Sequence, residues 1–572
     1  MRYGYIFSLL LLVLLIGACT RSRAPAVEDA VTGSGKPAAK ETVEDQPRRL
    51  SGQVPPPLGV VQKHRELAAA MDLTFMRPAP TMTGVDRENY AHIESHGITQ
   101  VGTDPVSTFS IDVDTGSYAN VRRMLQEGRL PRRDAVRVEE MVNYFAYQDP
   151  APAGRDVPFR VTTELAPTPW NPDTRLLRIA LKAWDTPRID LPPSNLVFLI
   201  DVSGSMNSPD KLPLLKRSLK LLSARMRAED RITLVVYAGA AGVVLEPTAG
   251  NRQATIEAAI HQLSAGGSTH GSAGIALAYA KAREAFVPGG INRVILATDG
   301  DFNVGTVDQR ALLDLIERER ESGISLTTLG FGSGNFNDRL MEQLADHGNG
   351  NYAYIDTLLE AQKVLVEQVG GTLLTLARDV KVQVEFNPAR VAEYRLVGYE
   401  NRALRREDFN NDRVDAGELG AGHSVVALYE LSLVGGEGSL IDRLRYGAAR
   451  AEKATTHDDE LAYVKLRYKA PEGGPSSLLA FAVGGDALSG SLADSTNDFR
   501  FSSAVAAFAE HLRGSVHLNG FSYQDILALA RGSRGEDGQG YRSDFLRLVA
   551  LAESLDGRAQ EVAMRQADEG DR

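Results

Sequence analysis

Cysteine is nearly absent from this sequence: Cys19 is the single one in 572 residues. A lone thiol rules out an intramolecular disulfide and zinc sites built from several cysteines. An excess of basic residues is missing too, because 63 lysines and arginines stand against 74 aspartates and glutamates, for a net charge of −11. Nucleic-acid binding requires a concentrated basic face, so the composition argues against it.

Long apolar runs are also missing beyond the N-terminus. After residue 19, no stretch has the eighteen or so uninterrupted apolar residues that a transmembrane helix requires. The Gly-x-Ser-x-Gly turn of many hydrolases and the phosphate-binding Gly-x-x-x-x-Gly-Lys-Ser/Thr loop are absent as well. The length, with 43% hydrophobic and 24% charged residues, predicts several globular domains.

The N-terminus has the pattern of a secretory signal. A short basic region precedes residues 6–16, which are almost wholly apolar, and small residues stand directly before Cys19. The sequence Ile16-Gly17-Ala18-Cys19 resembles the lipobox of bacterial lipoproteins, in which the cysteine is acylated and becomes the new N-terminus. The resemblance implies that residues 1–19 are a lipoprotein signal peptide with its lipobox, and that Cys19 is the lipidation site.

Lipidation implies a membrane anchor in the bacterial cell envelope. Each buried methylene of an acyl chain such as palmitate contributes about 0.8 kcal/mol, so several chains together hold a protein firmly. By resemblance to Gram-negative lipoproteins, Thr20 favours the outer membrane, facing the periplasm, over the inner membrane, where Asp is typical. The alternative is a plain cleaved signal, or an uncleaved anchor, with an incidental cysteine. Residues 20–88 lack periodicity and predict a flexible tether.

One short apolar run ends in three oxygen-bearing side chains at alternate positions. Residues 196–200 are all apolar, and Asp201, Ser203 and Ser205 follow them. Such a run predicts a central strand of a parallel sheet, buried on both faces. Ligands of these sheets bind beyond the carboxyl ends of the strands, and Gly204 permits the tight turn there. The oxygen donors suit a hard cation, Mg²⁺, Mn²⁺ or Ca²⁺, and not zinc.

Two further segments complete the pattern. A second apolar run, residues 294–297, leads into Thr298-Asp299-Gly300, and Gly266-Gly267-Ser268-Thr269-His270 forms a tight loop before a helical pattern. The order Asp-x-Ser-x-Ser, Thr, Asp-Gly resembles the metal-ion-dependent adhesion site of the von Willebrand factor type A domain. Serine, aspartate and glycine also dominate ordinary turns and helix caps, which is the plain alternative.

The resemblance implies a role for each matching residue. Ser203, Ser205 and Thr269 would bind the metal through their hydroxyls, and Asp201 and Asp299 would bind it directly or through water. Mg²⁺ is the cation expected first, since it prefers an octahedral shell of oxygens and keeps exchangeable waters.

Periodicity predicts the fold around this site. Strand and helix patterns alternate from residue 194 to residue 378, which predicts an α/β domain with a doubly wound, mostly parallel sheet, as in the Rossmann-like type A domain. Beyond it, apolar and polar residues alternate over 380–386 and 464–469, as in half-buried antiparallel strands. We expect these to pair with strands near Phe159 and Leu176, so that the type A domain is inserted in a β-sandwich formed by its flanks.

Both flanks resemble the regions that border the type A domain in one subfamily of bacterial von Willebrand-like lipoproteins; Gly348-Asn-Gly-Asn-Tyr352 and Gly540-Tyr-Arg542 belong to that likeness. Residues 107–117 predict a strand and turn, and residues 358–376 one long helix. The predicted organisation is a signal peptide (1–19), a tether (20–88), a β-rich N-terminal flank (89–193), the type A domain (194–378), a β-rich C-terminal flank (379–500) and a helical region with a tail (501–572).

Three weaker motifs suggest other chemistry. Asp114-Thr-Gly matches the active-site turn of aspartic proteases, but those enzymes need two such carboxylates and no second copy is present. Asp112-Val-Asp114 partly matches the nucleophile of haloacid dehalogenase-type phosphatases, although Gly116 stands where threonine is expected. Asp408-Phe-Asn-Asn-Asp412 resembles the start of a calcium loop but lacks its glycine and final glutamate. We interpret all three as turns.

The resemblance therefore implies a membrane-anchored, metal-dependent protein-binding module, for adhesion or scaffolding, and not an enzyme. Two carboxylates and three hydroxyls leave an octahedral cation one open position, which an Asp or Glu carboxylate of a protein partner would fill. The alternative is a metal-dependent hydrolase that uses water on the same cation, with His270 as a candidate base. A third interpretation is an architectural envelope protein whose site no longer functions.

Overall fold

The computed structural model describes residues 87–154, 156–267, 271–300, 309–442, 457, 459–485 and 489–570. All of them belong to one compact unit, Pro80–Arg572. The signal peptide, Cys19 and nearly all of the tether lie outside the described residues, and so do Ser268, Thr269 and His270. In the part of the chain that is described, no helix combines the length and apolarity needed to cross a membrane.

Sixteen strands are found in the described residues. In chain order they are β1 (Thr99–Gln100), β2 (Val106–Ser110), β3 (Phe159–Thr168), β4 (Asn171–Ala183), β5 (Ser194–Asp201), β6 (Arg231–Tyr237), β7 (Ala241–Ala249), β8 (Ile291–Thr298), β9 (Ser325–Phe331), β10 (Tyr352–Ile355), β11 (Thr375–Phe386), β12 (Val391–Val397), β13 (Gly417–Gly420), β14 (Ser424–Leu433), β15 (Glu460–Lys469) and β16 (Ser477–Gly484).

Twelve α-helices accompany them in the same part of the chain. They are α1 (Gly116–Gln126), α2 (Val138–Asn143), α3 (Leu212–Ser223), α4 (Gln253–Gln262), α5 (Gly271–Glu284), α6 (Gln309–Glu321), α7 (Asp338–His347), α8 (Leu358–Gln362), α9 (Val369–Leu373), α10 (Asn497–Arg513), α11 (Tyr523–Gly532) and α12 (Tyr541–Gly570).

The central sheet is doubly wound, as the alternation of strands and helices predicts. Its strand order is β10-β9-β8-β5-β6-β7, and all neighbours are parallel except β6 and β7. Along β5, Leu196, Phe198 and Ile200 pack with α3 and α4 on one face, while Val197 and Leu199 pack with α5 and α7 on the other. Each such side chain contributes about 1.5–3 kcal/mol on burial, which explains the uninterrupted apolar run.

The flanks form two antiparallel sheets that pack face to face. One has the order β1-β12-β14-β4-β3, and the other has the order β13-β11-β15-β16 with β2 paired to β11. A shared apolar core lies between them and includes Ile179, Val382 and Val464. The predicted β-sandwich built from both flanks is therefore present, with the type A sheet between β4 and β11 in the chain.

The predicted strand pairing inside the sandwich is wrong. The strands near Val382 and Val464, β11 and β15, pair with each other. Those near Phe159 and Leu176, β3 and β4, also pair with each other, and the other neighbour of β4 is β14. The two pairs lie in opposite sheets and meet through their side chains. Alternating apolar residues indicate which face of a strand is buried, but they do not distinguish a hydrogen-bonded neighbour from a packing partner.

The C-terminal helices cover the outer face of the first of these sheets. Leu176 and Val426 point away from the sandwich core and pack with α1, α2 and the helices α10, α11 and α12. The sheet is thus buried on both faces.

Two helix predictions need correction. The long helix predicted over residues 358–376 is interrupted: a π-helical turn, Lys363–Glu367, separates α8 from α9, and the strand β11 begins at Thr375. Residues 107–117 do contain a strand, β2, but the turn is followed by helix α1, which periodicity missed. Its residues from Gly116 to Leu125 are all buried, including polar ones such as Asn120 and Arg122, so its polar positions do not mark a solvent-facing side as they do in a surface helix.

Candidate functional site

The two predicted aspartates lie side by side at the carboxyl edge of the central sheet. Asp201 is the last residue of β5, and Asp299 follows the last residue of β8, Thr298. The strands are parallel neighbours with Ile200 opposite Ala297, so their ends coincide. Both aspartates are fully buried. This position follows directly from the parallel register, because every β–α connection leaves the sheet at the same edge.

Backbone hydrogen bonds hold the serine turn against a second loop. The amide of Gly204 donates to the carbonyl of Gly267 at 3.2 Å, and the amide of Gly266 donates to the carbonyl of Val202 at 2.7 Å. The loop ending at Gly267 leads to Thr269, which lies outside the described residues. The metal role of Thr269 therefore stays a prediction.

Asp201 is surrounded by uncharged hydrogen-bond donors. Its Oδ1 accepts the amide of Ser203 at 2.8 Å, and its Oδ2 accepts the hydroxyls of Thr298 at 2.9 Å and Tyr237 at 3.2 Å. Burial raises the pKa of Asp201, and the nearby charge of Asp299 acts in the same direction, while the Ser203 hydrogen bonds oppose it. A carboxylate with these neighbours is held in a fixed orientation, and no basic side chain of the described residues forms an ion pair with it.

The serine hydroxyls connect the buried aspartates to the surface. Oγ of Ser203 lies 3.0 Å from Oγ of Ser205. Ser203 is buried, whereas Ser205 is exposed. A ligand held here would be reached from solvent on the Ser205 side.

Lys211 is a site residue that the sequence reasoning missed. Its Nζ donates to Oδ2 of Asp299 at 2.9 Å and to Oδ1 of Asn335 at 3.4 Å, and its side chain is only 9% exposed. The lysine stem crosses Gly332, where a Cβ would lie 2.2 Å from the lysine Cε. Gly332 also has φ of +70°, so both the close lysine contact and the backbone conformation favour glycine there. A lysine six residues after a serine motif carries no recognisable signal by itself.

The donor set fits a hard divalent cation. In the described residues, no three His, Cys, Asp or Glu side chains form a group that could hold a metal. The oxygen donors that the described residues offer at this edge are the carboxylates of Asp201 and Asp299 and the hydroxyls of Ser203 and Ser205. Carboxylates mixed with hydroxyls are ligands for Mg²⁺, Mn²⁺ or Ca²⁺. The assignment of these residues as metal ligands stays a prediction.

The competing motifs of the N-terminal flank are structural turns. Oδ1 of Asp114 accepts the amide of Tyr352 at 2.8 Å, and Oδ1 of Asp112 accepts the amide of Asp114 at 2.9 Å. Arg402 pairs with both carboxylates. Both side chains are buried among these partners, so neither is available as a nucleophile or a protease carboxylate.

The calcium-like motif is also a turn. Asp408 pairs with Arg405, and Asp412 accepts hydrogen bonds from the amide and the hydroxyl of Ser476. These donors already occupy the carboxylate oxygens that a calcium loop would use.

Family models cover most of the described chain. The von Willebrand factor type A domain model matches residues 195–368, a von Willebrand factor model matches residues 84–178, and the model of the C-terminal part of "Uncharacterized protein YfbK" matches residues 371–555. The three models together follow the central sheet and both flanks.

Individual proteins are also similar to this chain in sequence. "Uncharacterized protein YfbK" of Escherichia coli is 47% identical over 497 residues, which are 84% of this chain and 85% of that protein. "Inter-alpha-trypsin inhibitor heavy chain H3" of Pongo abelii is 26% identical over 273 residues, 44% of this chain and 30% of that one.

Solved structures with a similar arrangement include "von Willebrand factor type A from Catenulispora acidiphila". It is 15% identical, with a TM-score of 0.38, and the match covers 68% of this chain and 89% of that chain. The ArnB paralog VWA2 from Sulfolobus acidocaldarius is 14% identical, with a TM-score of 0.32, over 70% of this chain and 98% of that one.

Proposed function

The chain belongs to the family of von Willebrand factor type A proteins that includes Escherichia coli YfbK, and from this premise we propose that it is a metal-dependent protein-binding module of the bacterial cell envelope. Its role would be adhesion or scaffolding, with no catalytic step. The observation that carries the proposal is the pair of buried carboxylates, Asp201 and Asp299, at the carboxyl edge of the parallel sheet beside exposed Ser205.

The chemistry of this edge supports capture of a partner by its acidic side chain. Asp201 and Asp299, with Ser203, Ser205 and Thr269, would hold Mg²⁺ and leave one position open to the outside. The bound cation would attract an Asp or Glu carboxylate of a protein partner. The residues of this chain would orient the ion and keep bulk water away from its inner side, because both aspartates are buried.

The envelope location is part of the same proposal. It is supported by the apolar N-terminal run and by Cys19 at its end. A lipid anchor followed by a tether would hold the folded unit near the membrane while leaving the metal edge free to meet a partner.

Metal binding and partner capture test the proposal together. Titration calorimetry of the purified protein with MgCl₂ should give a single site that Asp201→Ala removes, while Asp544→Ala, which alters a carboxylate in the first turn of α12 outside the candidate site, should bind as the wild type does. Melting temperatures should stay close to that of the wild type in both variants. Global unfolding of Asp201→Ala, or Mg²⁺ binding unchanged by it, would contradict the proposal.

Partner capture from detergent-solubilised membranes should then occur in Mg²⁺ and be lost with a chelator and in Asp201→Ala. Turnover of phosphoester or peptide substrates that Asp299→Ala abolishes would instead establish the metal-dependent hydrolase. Capture that is the same with Mg²⁺ and with chelator would indicate an architectural protein whose site no longer functions.

A further inference from the structure

A cavity of about 410 Å³ lies between the sandwich and the type A sheet, among residues that the metal site does not use. Its wall is formed by the end of β4 and the loop after it, the early residues of β9 and β10, the π-helical turn and the beginning of β14. A volume of this size is typical of sites for small molecules, which are found preferentially between domains.

Besides Arg188, two basic side chains line this cavity, and neither forms an ion pair with an acidic side chain of the described residues. Nζ of Lys182 donates to the carbonyl of Gly422 at 2.7 Å and to the hydroxyl of Ser424 at 3.2 Å, both of them uncharged. Nδ1 of His423 is shielded from solvent and has no hydrogen-bond partner among the described residues. The opposite ring edge of His423 faces Gly371, where a Cβ would lie 2.3 Å from Nε2, so the ring has little freedom to turn.

A buried guanidinium group lies close behind the wall. Arg293 on β8 is only 3% exposed; its Nη1 donates to the hydroxyl of Thr327 at 2.6 Å, and its Nε has no partner in the described part of the chain. Thr327 itself lines the cavity. Burial lowers the pKa of His423 to about 4, with the charges of Lys182 and Arg293 as further causes, so the ring is neutral at pH 7 and both cations lie near enough to oppose its protonation.

The acidic residues near the cavity are not in ion-pair contact with Lys182 or Arg293 in the described part of the chain. Glu367 accepts hydrogen bonds from Tyr541 and Gln362, and Asp185 is exposed. Asp185 lies near enough to Lys182 to favour its charged form, and Glu418 acts in the same way on Arg293, but neither carboxylate forms an ion pair with its cation among the described residues. Buried cations in proteins are normally paired, and one anion in this cavity would lie beside Lys182 and near Arg293 while accepting a hydrogen bond from the neutral ring of His423.

We propose that this cavity binds a small anion bearing a carboxylate or a phosphate group, held by Lys182 and His423. Nζ of Lys182 supplies a point charge, and the unpartnered Nδ1 of His423 donates a hydrogen bond. Arg293 adds positive charge behind the hydroxyl of Thr327 without touching the ligand. This function is separate from the metal site, since none of the residues is shared.

Inorganic phosphate and citrate are the probes that test the proposal. The full chain is titrated with each at pH 7, with chloride added to keep the ionic strength constant, and the melting temperature and the heat of binding are recorded. At least one probe should raise the melting temperature in a saturable manner. Preference for phosphate identifies a phosphate-bearing ligand, and preference for citrate identifies a carboxylate.

Lys182→Met should weaken the binding at least tenfold, whereas Lys220→Met, a matched change on the surface of α3, should leave it unchanged. Should Lys182→Met fail to fold, ¹⁵N spectra of the wild-type protein decide the question: the imidazole resonances assigned to His423 by their loss in His423→Leu should shift on adding the preferred anion. The proposal is overturned if neither anion stabilises the protein beyond chloride, if Lys182→Met and Lys220→Met behave alike, or if the His423 resonances do not move.

Discussion

The ammonium group of Lys211 adds one positive charge next to the two aspartates of the candidate metal site. Lys211 places its Nζ 2.9 Å from one carboxylate oxygen of Asp299, whereas Asp201 is held by uncharged donors. The two aspartates at the sheet edge are therefore not equivalent: one is already paired with a cation. A metal ion that binds both must do so beside this lysine.

Replacement of the lysine tests that reasoning. In Lys211→Met the positive charge next to Asp299 is gone, and we expect the Mg²⁺ affinity to rise by roughly tenfold, or about 1.4 kcal/mol, because like charges repel. Without Mg²⁺ the variant should melt at a lower temperature, since the buried Asp299 loses an ion-pair partner. Calorimetric titration with MgCl₂ measures the affinity, and Lys216→Met on α3 is the control. An affinity equal to that of the wild type, or weaker, would refute the expectation.

His423 makes the stability of the protein sensitive to acid. Its pKa is lowered to about 4 in the folded state, chiefly by burial, against about 6.5 when unfolded. Between these values the unfolded chain binds a proton that the native chain does not, so stability is lost as the pH falls from about 6.5 to 4. Comparing urea unfolding at pH 7 and pH 5, we expect His423→Leu to lose about 2 kcal/mol less than the wild type. Equal losses in the two proteins would show that His423 is not the group responsible.

At the scale of elements, the sequence predicts a strand or helix correctly where all residues on a given face are apolar or all are polar. The apolar run of β5 predicts its place in the middle of the parallel sheet, and its end predicts where Asp201 lies. Helix α1 is not predicted in this way, because it is buried on all sides. The sequence does not predict the interruption at Lys363–Glu367 or the pairing of β11 with β15 for another reason. Both depend on contacts with segments far away in the chain.

Some residues of the candidate site can be recognised from the sequence and others cannot. The Asp-x-Ser-x-Ser turn and the second aspartate are recognisable from local order, because parallel strands bring their carboxyl ends together. Lys211, Tyr237 and Thr298 are not recognisable, since lysine, tyrosine and threonine at strand and helix ends are common. Their role emerges only when hydrogen bonds between segments are known.

The loop after β9 offers a comparison of two glycines. Gly332 and Gly334 both have positive φ, +70° and +95°, but only Gly332 faces Lys211, while a Cβ on Gly334 would meet no atom within 4 Å. Alanine at either position carries the conformational cost of about 1 kcal/mol or more. We expect Gly332→Ala to lower the free energy of unfolding by at least about 1 kcal/mol more than Gly334→Ala does, measured in urea. Equal effects would mean that the lysine stem moves aside freely.

At the scale of the whole molecule, buried ion pairs join the N-terminal flank to the type A unit. Arg137, at the start of α2, is 1% exposed and contacts Asp338 of α7 at 2.6 Å and Glu140 of its own helix. Arg122 of α1 contacts Asp356 and Glu360 in the same manner. These arginines hold helices from one flank against the last elements of the central sheet.

Loss of one such arginine should be costly. Arg137→Met leaves the carboxylates of Glu140 and Asp338 buried without their cation, and we expect the free energy of unfolding to fall by about 3–5 kcal/mol. Arg547→Met breaks an exposed pair with Asp544 and should change stability by less than about 1 kcal/mol. Equilibrium unfolding of the two variants at pH 7 gives the comparison. Similar losses of free energy would indicate that the buried ion pairs stabilise the protein no more than the Arg547 pair does.

The anchor can be tested independently of the fold. Cells that express the protein and are fed labelled palmitate should incorporate the label, and Cys19→Ser should abolish incorporation, because no other thiol is present. Mass spectrometry of the mature N-terminus then identifies the acyl chains. An unlabelled wild type, or a labelled Cys19→Ser variant, would exclude lipidation at this residue.

The order in which the strands leave the ribosome has a consequence for how the protein matures. β4 is made well before its neighbour β14, and the residues of the entire type A sheet are made between them. The six-stranded sheet can close from contiguous chain alone, whereas β3 and β4 must wait with an open edge until residues 424–433 arrive. A nascent chain arrested once residue 373 has emerged from the ribosome, but before β14 has, should therefore present a folded type A unit and an unfinished sandwich, a state in need of a chaperone.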